Sequence, residues 1–276
     1  MKAKHTAAWV GFTAAALVAT SACGADGVKQ AAEAVDKTDA IMAALSRATD
    51  RTEQVGSAEV KMSTDIGTGT PVAMEGTYSW GDGYAYDVEM DTKAAQMQTL
   101  TSDPSIRMLF VDGAYYYDVD PQPSGPLKGK EWMKIDASAV LGEAGAQAVT
   151  GANGSPSASM KGLKYANDVE DLGKETVNGQ STTHYRAVID QKQMGKFADA
   201  LGDEDSLMGS VTGGATSISM DVWVGAKDLP VRLTEKVGAM KVTMDFEKFG
   251  KTADVKAPPA SETVDMTQAL KDSQGQ

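Results

Sequence analysis

The chain has 276 residues, 42% of them hydrophobic and 23% charged, with 26 Lys+Arg against 38 Asp+Glu and a formal net charge of −12. That balance excludes a disordered polyelectrolyte and leaves no basic surplus for general nucleic-acid binding. One cysteine and two histidines, His5 and His184, exclude an internal disulfide framework, a cysteine-based zinc cluster and a multi-histidine metal site.

The N-terminus reads as an export signal over residues 1–22. Lys2 and Lys4 form a basic start, and Trp9 to Ala19 is apolar and uncharged but too short to span a bilayer. Leu17-Val-Ala-Thr-Ser-Ala-Cys-Gly24 resembles a bacterial lipobox, with Thr20 standing where Leu is usual. The only cysteine of the chain, Cys23, falls at the cleavage boundary and is the expected lipidation site. Residues 23–27 are then a lipidated Cys and a short linker. Residues 1–22 carry Lys2 and Lys4 and no acid, so their removal moves the net charge from −12 to −14. An acidic surface is repelled by anionic headgroups, so the anchor on Cys23 is the expected membrane contact.

From Val28 the apolar spacing is helical through Val35, Ile41, Met42, Leu45 and Ala48, predicting an amphipathic helix that ends between Thr49 and Glu53. From Ser57 the period becomes two. Val60/Met62, Met74/Tyr78/Trp80 and Tyr84/Tyr86/Val88/Met90 predict three half-buried antiparallel strands in a meander. Ile106–Val111 and Ala114–Val119, around Asp112-Gly113, predict a hairpin, and Trp132–Ile135 a short strand. Helical character is expected over Ala137–Val149, then a Gly/Ser-rich connection to residue 163. Strands resume at Tyr165, with Asn178-Gly179 the strongest turn signal. A helix face is expected at Met194, Phe197, Ala198 and Leu201, an acidic Gly-rich stretch at 202–214, then strands ending at Phe246. Residues 28–265 read as one domain and 266–276 as a frayed end. The two strand sets, 57–135 and 165–249, look like similar halves. Strands with one polar face, plus a few helices, place the chain in the α+β class.

Reactive constellations are scarce. There is no phosphate-binding loop and no Gly-x-Ser-x-Gly. His184 lies in a strand beside no nucleophile elbow, and reads as a hydrogen-bonded or solvated strand histidine. The acidic groups Asp118/Asp120, Asp168/Glu170/Asp171 and Asp203/Glu204/Asp205 read as solvated surface charge. No catalytic residue, metal or cofactor is expected. Methionine is the unusual residue, with fifteen against five phenylalanines. Many fall on the inward phase of the strands, where they either fill irregular core gaps or line an adaptable apolar cavity.

Two hairpins carry a resemblance. Asp171-Leu-Gly-Lys-Glu-Thr-Val-Asn-Gly-Gln-Ser-Thr-Thr-His-Tyr-Arg186 and Val222-Trp-Val-Gly-Ala-Lys-Asp-Leu-Pro-Val-Arg232 resemble hairpin motifs of the LolA-like superfamily. The tail, with Phe249-Gly250-Lys251 and Ala257-Pro258-Pro259-Ala260, is similar to that of the actinobacterial LppX and LprG lipoproteins. The resemblance implies a curved antiparallel half-barrel with helices on its concave face and an apolar cavity between them. It also implies a non-catalytic, monomeric, membrane-anchored extracytoplasmic lipoprotein that binds a lipid or acylated ligand. The candidate cavity residues, taken from the inward phase of the strands, are Met62, Met74, Tyr78, Tyr86, Met90, Met108, Phe110, Met220, Val222 and Met244. A protein-interaction or regulatory lipoprotein with a filled core on the same fold is the alternative.

Overall fold

A computed structural model describes residues 25–67, 70–81, 83–150, 160–163, 166, 168–190, 215, 217–250 and 252–274. The export signal, Cys23, the helix face expected at 194–201 and the acidic stretch at 202–214 lie outside the described residues. The chain divides into two compact units, Met1–Lys37 and Thr38–Gln276. The second carries all the strands.

The first helix, α1, runs Ala25–Val55. In its part within the larger unit, Ile41, Ala44, Leu45, Ala48, Thr49 and Thr52 are buried, a stripe at helical spacing that faces the sheet core. Thr49 and Thr52 sit on that stripe because their hydroxyls donate to Leu45 O (2.9 Å) and Ala48 O (2.7 Å), leaving no polar atom of the stripe unbonded. The Trp80 indole N–H donates to Thr52 O at 2.8 Å and caps one of the open carbonyls at the helix end.

The first strand set comprises β1 (Ser57–Asp65), β2 (Val72–Ser79), β3 (Ala85–Asp91), β4 (Ser105–Val111), β5 (Ala114–Asp118) and β6 (Trp132–Asp136). Helix α2 (Ala137–Val149), broken at Gly142, follows. The second set is β7 (Asp168–Val177), β8 (Gln180–Asp190), β9 (Ser217–Val224), β10 (Pro230–Val237) and β11 (Met240–Glu247). Strand β12 (Thr263–Asp265) and helix α3 (Thr267–Gln274) close the described chain. All twelve strands form one open sheet in the order β12-β6-β5-β4-β3-β2-β1-β11-β10-β9-β8-β7. Each set is a meander, and the two meanders join where β1 pairs antiparallel with β11. The half-barrel expected from the sequence is this open, mostly antiparallel sheet, with α1 packed on one face.

Turn chemistry sets the register of the β7–β8 hairpin. Asn178 and Gly179 have φ of 50° and 76°, the left-handed pair that a two-residue turn matched to strand twist requires. Within the sheet Gly76 is forced by proximity. A Cβ there would overlap Asp87 O and stand 2.8 Å from Val88 Cα, so only glycine lets β2 and β3 approach.

The C-terminal segment departs from the sequence reading. Residues 266–276 do not simply fray, since α3 occupies Thr267–Gln274. Asp265 Oδ1 accepts from Thr267 N–H at 2.9 Å and starts the helix, while Lys134 Nζ donates to Asp265 Oδ2 at 2.9 Å. Strand β12 pairs with β6 in parallel, the only parallel strand pair among the described residues. In the sheet order β12 lies seven strand spacings from β11, roughly 34 Å. The crossing runs over the outer face, where Val255 packs on Leu109, Val111, Ala114, Tyr116 and Trp132.

Candidate functional site: the inner face of the sheet

Alternation divides the two faces. Outward-facing residues form ion pairs. Arg107 holds Asp87 through two bonds, at 2.8 and 2.7 Å, and Arg232 holds Asp245 at 2.6 and 2.8 Å. Two open grooves of about 470 and 600 Å³ border these strands, and the smaller is mainly apolar, reaching Met62, Met74 and Met90. The larger is mainly polar and lies among outward side chains such as Glu59, Lys61, Asp87, Arg107 and Glu247.

The inner face is apolar, and strand register orders it into rows. One row runs Leu233, Met244, Met62, Met74, Met90, Ile106 across β10, β11, β1, β2, β3 and β4. Its middle is four consecutive thioether side chains. A second row runs Ala58, Tyr78, Tyr86, Phe110, Tyr115 across β1 to β5. Between them lies a third, Phe246, Val60, Gly76, Val88, Met108 and Tyr117. All ten candidate cavity residues point to this face. Nine belong to one apolar cluster, and Phe110 joins through its rings.

They are not equivalent. Tyr78, Met90, Met108, Phe110, Met220 and Val222 are buried, whereas Met62, Met74, Tyr86 and Met244 are half-buried. Met220 sits opposite Ala187 and Glu235 in a buried part of the face carried by β8, β9 and β10. The accessible part therefore lies over β11 and β1–β5.

Sequence reasoning passed over several residues here. Tyr84, Tyr115 and Tyr117 line the same region, with ring centroids 5.0–6.5 Å apart along the run Tyr78, Tyr84, Tyr86, Phe110, Tyr115, Tyr117. The i, i+2 spacing of Tyr84/Tyr86 and Tyr115/Tyr117 was the available signal. Burial pushes the phenols of Tyr84 and Tyr86 well above the usual tyrosine range and that of Tyr117 up to about 12, so these rings stay neutral.

The loop between β3 and β4 was also unforeseen. Its Ala95, Met97 and Leu100 pack against the inner cluster. Asp120 fixes it, accepting from Ser102 N–H (2.7 Å), Ser102 Oγ (2.9 Å) and Thr101 Oγ1 (3.2 Å). These bonds lower the Asp120 pKa. One acid of the Asp118/Asp120 pair thus anchors a loop.

His184 is more constrained than a solvated strand residue. Its Nδ1 lies 2.8 Å from Glu175 Oε1 and its Nε2 2.7 Å from Asp221 Oδ1, while Trp223 stacks on the ring at 4.1 Å. The Trp223 indole N–H donates to Glu175 Oε2 at 2.9 Å, and Arg186 Nε to Asp221 Oδ1 at 2.9 Å. Both ring nitrogens thus lie within hydrogen-bond distance of a carboxylate oxygen. This cluster ties β7, β8 and β9 together on the outer face, away from the apolar rows.

Among the described residues no helix is long and apolar enough to cross a membrane, and no group of three His, Cys, Asp or Glu is placed to hold a metal ion.

No protein-family profile matches the sequence. Two curated relatives do. A 31.2 kDa protein encoded between rplA and rplJ in Streptomyces griseus is 27% identical over 254 residues, covering 83% of this chain and 80% of that protein. A Streptomyces coelicolor protein whose name assigns it provisionally to the lipoproteins is 27% identical over 239 residues, covering 82% of this chain and 75% of that one. Among solved structures, the Mycobacterium tuberculosis lipoprotein LppX superposes with a TM-score of 0.51 at 13% identity, over 79% of this chain and 99% of LppX. The large, open, mostly antiparallel sheet is thus a fold that this chain shares with LppX.

Proposed function

We propose that the protein is a lipid-anchored, extracytoplasmic lipoprotein that binds or carries a hydrophobic ligand on the inner face of its sheet and catalyses no reaction. The observation that carries this reading is the half-buried apolar surface over β11 and β1–β5, deep in the fold yet not closed by packing. Four adjacent methionines suit a variable acyl occupant, because thioether chains repack at little cost. Each CH₂ moved from water to such a surface contributes about 0.8 kcal/mol, so a chain binds firmly with few polar contacts. The lipobox-like segment ending at Cys23, the provisional lipoprotein name of one relative and the LppX-like fold support the anchor and the compartment.

Native mass spectrometry of the mature chain, with Cys23→Ser to keep it in solution, followed by organic extraction, tests the reading. A co-purifying lipid of defined mass is the expected result. A clean apo mass, with no uptake of offered phospholipid or glycolipid, would transfer the weight to a protein-interaction role. Intact-mass analysis of the native membrane form tests acylation of Cys23.

A further inference from the structure

The five phenol rings of the inner face pose a chemical question that a lipid-chain surface alone does not answer. Phenylalanine would pack the same rings without a polar atom. Yet of the eight tyrosines in the chain, Tyr78, Tyr84, Tyr86, Tyr115 and Tyr117 gather in this one run of rings. Tyr78 has a long contact from its hydroxyl to Met62 Sδ at 3.9 Å. The hydroxyls of the other four make no hydrogen bond among the described residues, although a polar group left unbonded in a protein interior is rare and destabilising. These four side chains are half-buried and not sealed, so they border open space within the fold.

The electrostatics of that space are distinctive. Burial raises the pKa of each of the four phenols, and where other charges contribute at all they are the neighbouring tyrosines. By contrast, Tyr116 on the opposite face feels Lys134, Asp112, Asp136 and Asp265. The inner cluster is therefore a set of neutral O–H donors with no described cation beside it. An anionic headgroup placed there would be buried without a counter-charge, which is strongly unfavourable. An ester carbonyl, ether or hydroxyl oxygen would accept these donors at no such cost.

Geometry adds a length. Tyr78 and Met74 are four residues apart on β2, as are Tyr86 and Met90 on β3, so the tyrosine row lies about 13 Å along the strands from the methionine row. A donor station at one end and thioethers at the other fit an amphiphile with a neutral oxygen-bearing head and apolar chains. We propose that Tyr84, Tyr86, Tyr115 and Tyr117 bind the uncharged, oxygen-bearing group of an acylated polyol whose chains lie along the methionine row. This rests on the hydrophobic-ligand reading above and adds a polar selectivity to it.

The test uses the mature protein and its fourfold variant, Tyr84→Phe, Tyr86→Phe, Tyr115→Phe and Tyr117→Phe, which keeps every ring. Three probes are offered in detergent micelles: 1,2-dioleoylglycerol, dioleoylphosphatidylglycerol and squalene. The wild type is expected to bind dioleoylglycerol most tightly, and the variant to lose about tenfold or more of that affinity, as the net value of several hydrogen bonds requires. Squalene binding should be unchanged within about twofold, and the unliganded variant should melt no lower than wild type, because the hydroxyls it lacks had no partner. Undiminished dioleoylglycerol binding by the variant overturns the tyrosine assignment while leaving the carrier reading intact. Equal binding of the phosphatidylglycerol overturns the preference for a neutral head. Failure of wild type and variant to take up any probe overturns the carrier reading itself and this inference with it.

Discussion

The same substitution at two inward methionines separates a packing role from a ligand role. Met220 and Met74 occupy the same phase of the sheet, but Met220 is 2% exposed and faces Glu235 across the β9–β10 ladder, whereas Met74 is half-buried between Met62 and Met90. Met220→Glu forfeits the full transfer of a methionine side chain, about 2–3 kcal/mol. It also places a second carboxylate opposite Glu235, so either the charge is buried or a proton must be taken up. The total loss is about 5 kcal/mol, comparable with the whole stability of many domains. Met74→Glu forfeits about half the transfer, roughly 1–1.5 kcal/mol, and its carboxylate can stay in the open part of the face. Urea unfolding followed by tryptophan fluorescence should therefore show a drop of about 2 M in midpoint for Met220→Glu and well under 1 M for Met74→Glu. Lipid uptake should reverse the ranking relative to stability. The folded Met74→Glu protein should lose about a hundredfold in affinity for an acyl ligand, because a chain laid along the methionine row would desolvate the new charge. Equal destabilisation by the two changes, or Met74→Glu binding within a few-fold of wild type, would refute the division of the face into closed and accessible parts.

Three further outcomes follow from the fold. Gly76→Ala should destabilise by about 3 kcal/mol, because the added Cβ collides with Asp87 O and stands 2.8 Å from Val88 Cα; a melting temperature within a degree of wild type would contradict the close approach of β2 and β3. Although desolvation acts against it, hydrogen bonds from Thr267 and Lys134 hold the Asp265 carboxyl at about 2, below its ordinary 3.8. A depressed carboxylate stabilises the fold above its unfolded-state pKa and loses that contribution as pH falls through the folded value. Hydrogen exchange should therefore show α3 loosening between about pH 4 and pH 2 ahead of β1–β4, and Asp265→Asn should abolish that pH dependence. His184→Phe preserves the stack on Trp223 but removes both carboxylate bonds, and should cost about 2 kcal/mol in urea unfolding without altering lipid uptake. A urea midpoint for the variant equal to that of wild type would contradict the clamp.

What could be read from the sequence was local. Alternation at Val60/Met62 and Tyr86/Val88/Met90 places the strands and their inner phase, and Asn178-Gly179 places a hairpin, because side-chain period and turn chemistry are properties of adjacent residues. The joining of the halves was not legible. Met62 meets Met244 across 182 positions of chain, and nothing near either residue specifies the other. Neither was β12, whose three residues gain a place only by adding to the edge of β6. His184 shows the same limit, since its carboxylates come from 9 residues before and 37 after and meet only through the β7–β8–β9 register. For the site, alternation tells which face a side chain takes but not what lies above it. That is why Met74 and Met220 look alike in sequence and differ in the fold, and why the loop carrying Met97 and Leu100 went unrecognised.

The division between faces bears on how such a protein could change its contents without unfolding. The bonds that fix strand register on the outer face, Arg107 to Asp87, Arg232 to Asp245 and the His184 cluster, involve no residue of the apolar rows. The parallel strand at the far edge is likewise secured from outside, by Val255 on its apolar patch and by Lys134 on Asp265. Displacing the elements that lie on the inner face would leave the sheet paired throughout. Substitutions that disturb the outer ion pairs should consequently lower stability and spare ligand affinity. Those at half-buried inner positions of β11 and β1–β5 should do the reverse, and a variant set in which the two effects always rose together would show that the faces are not independent.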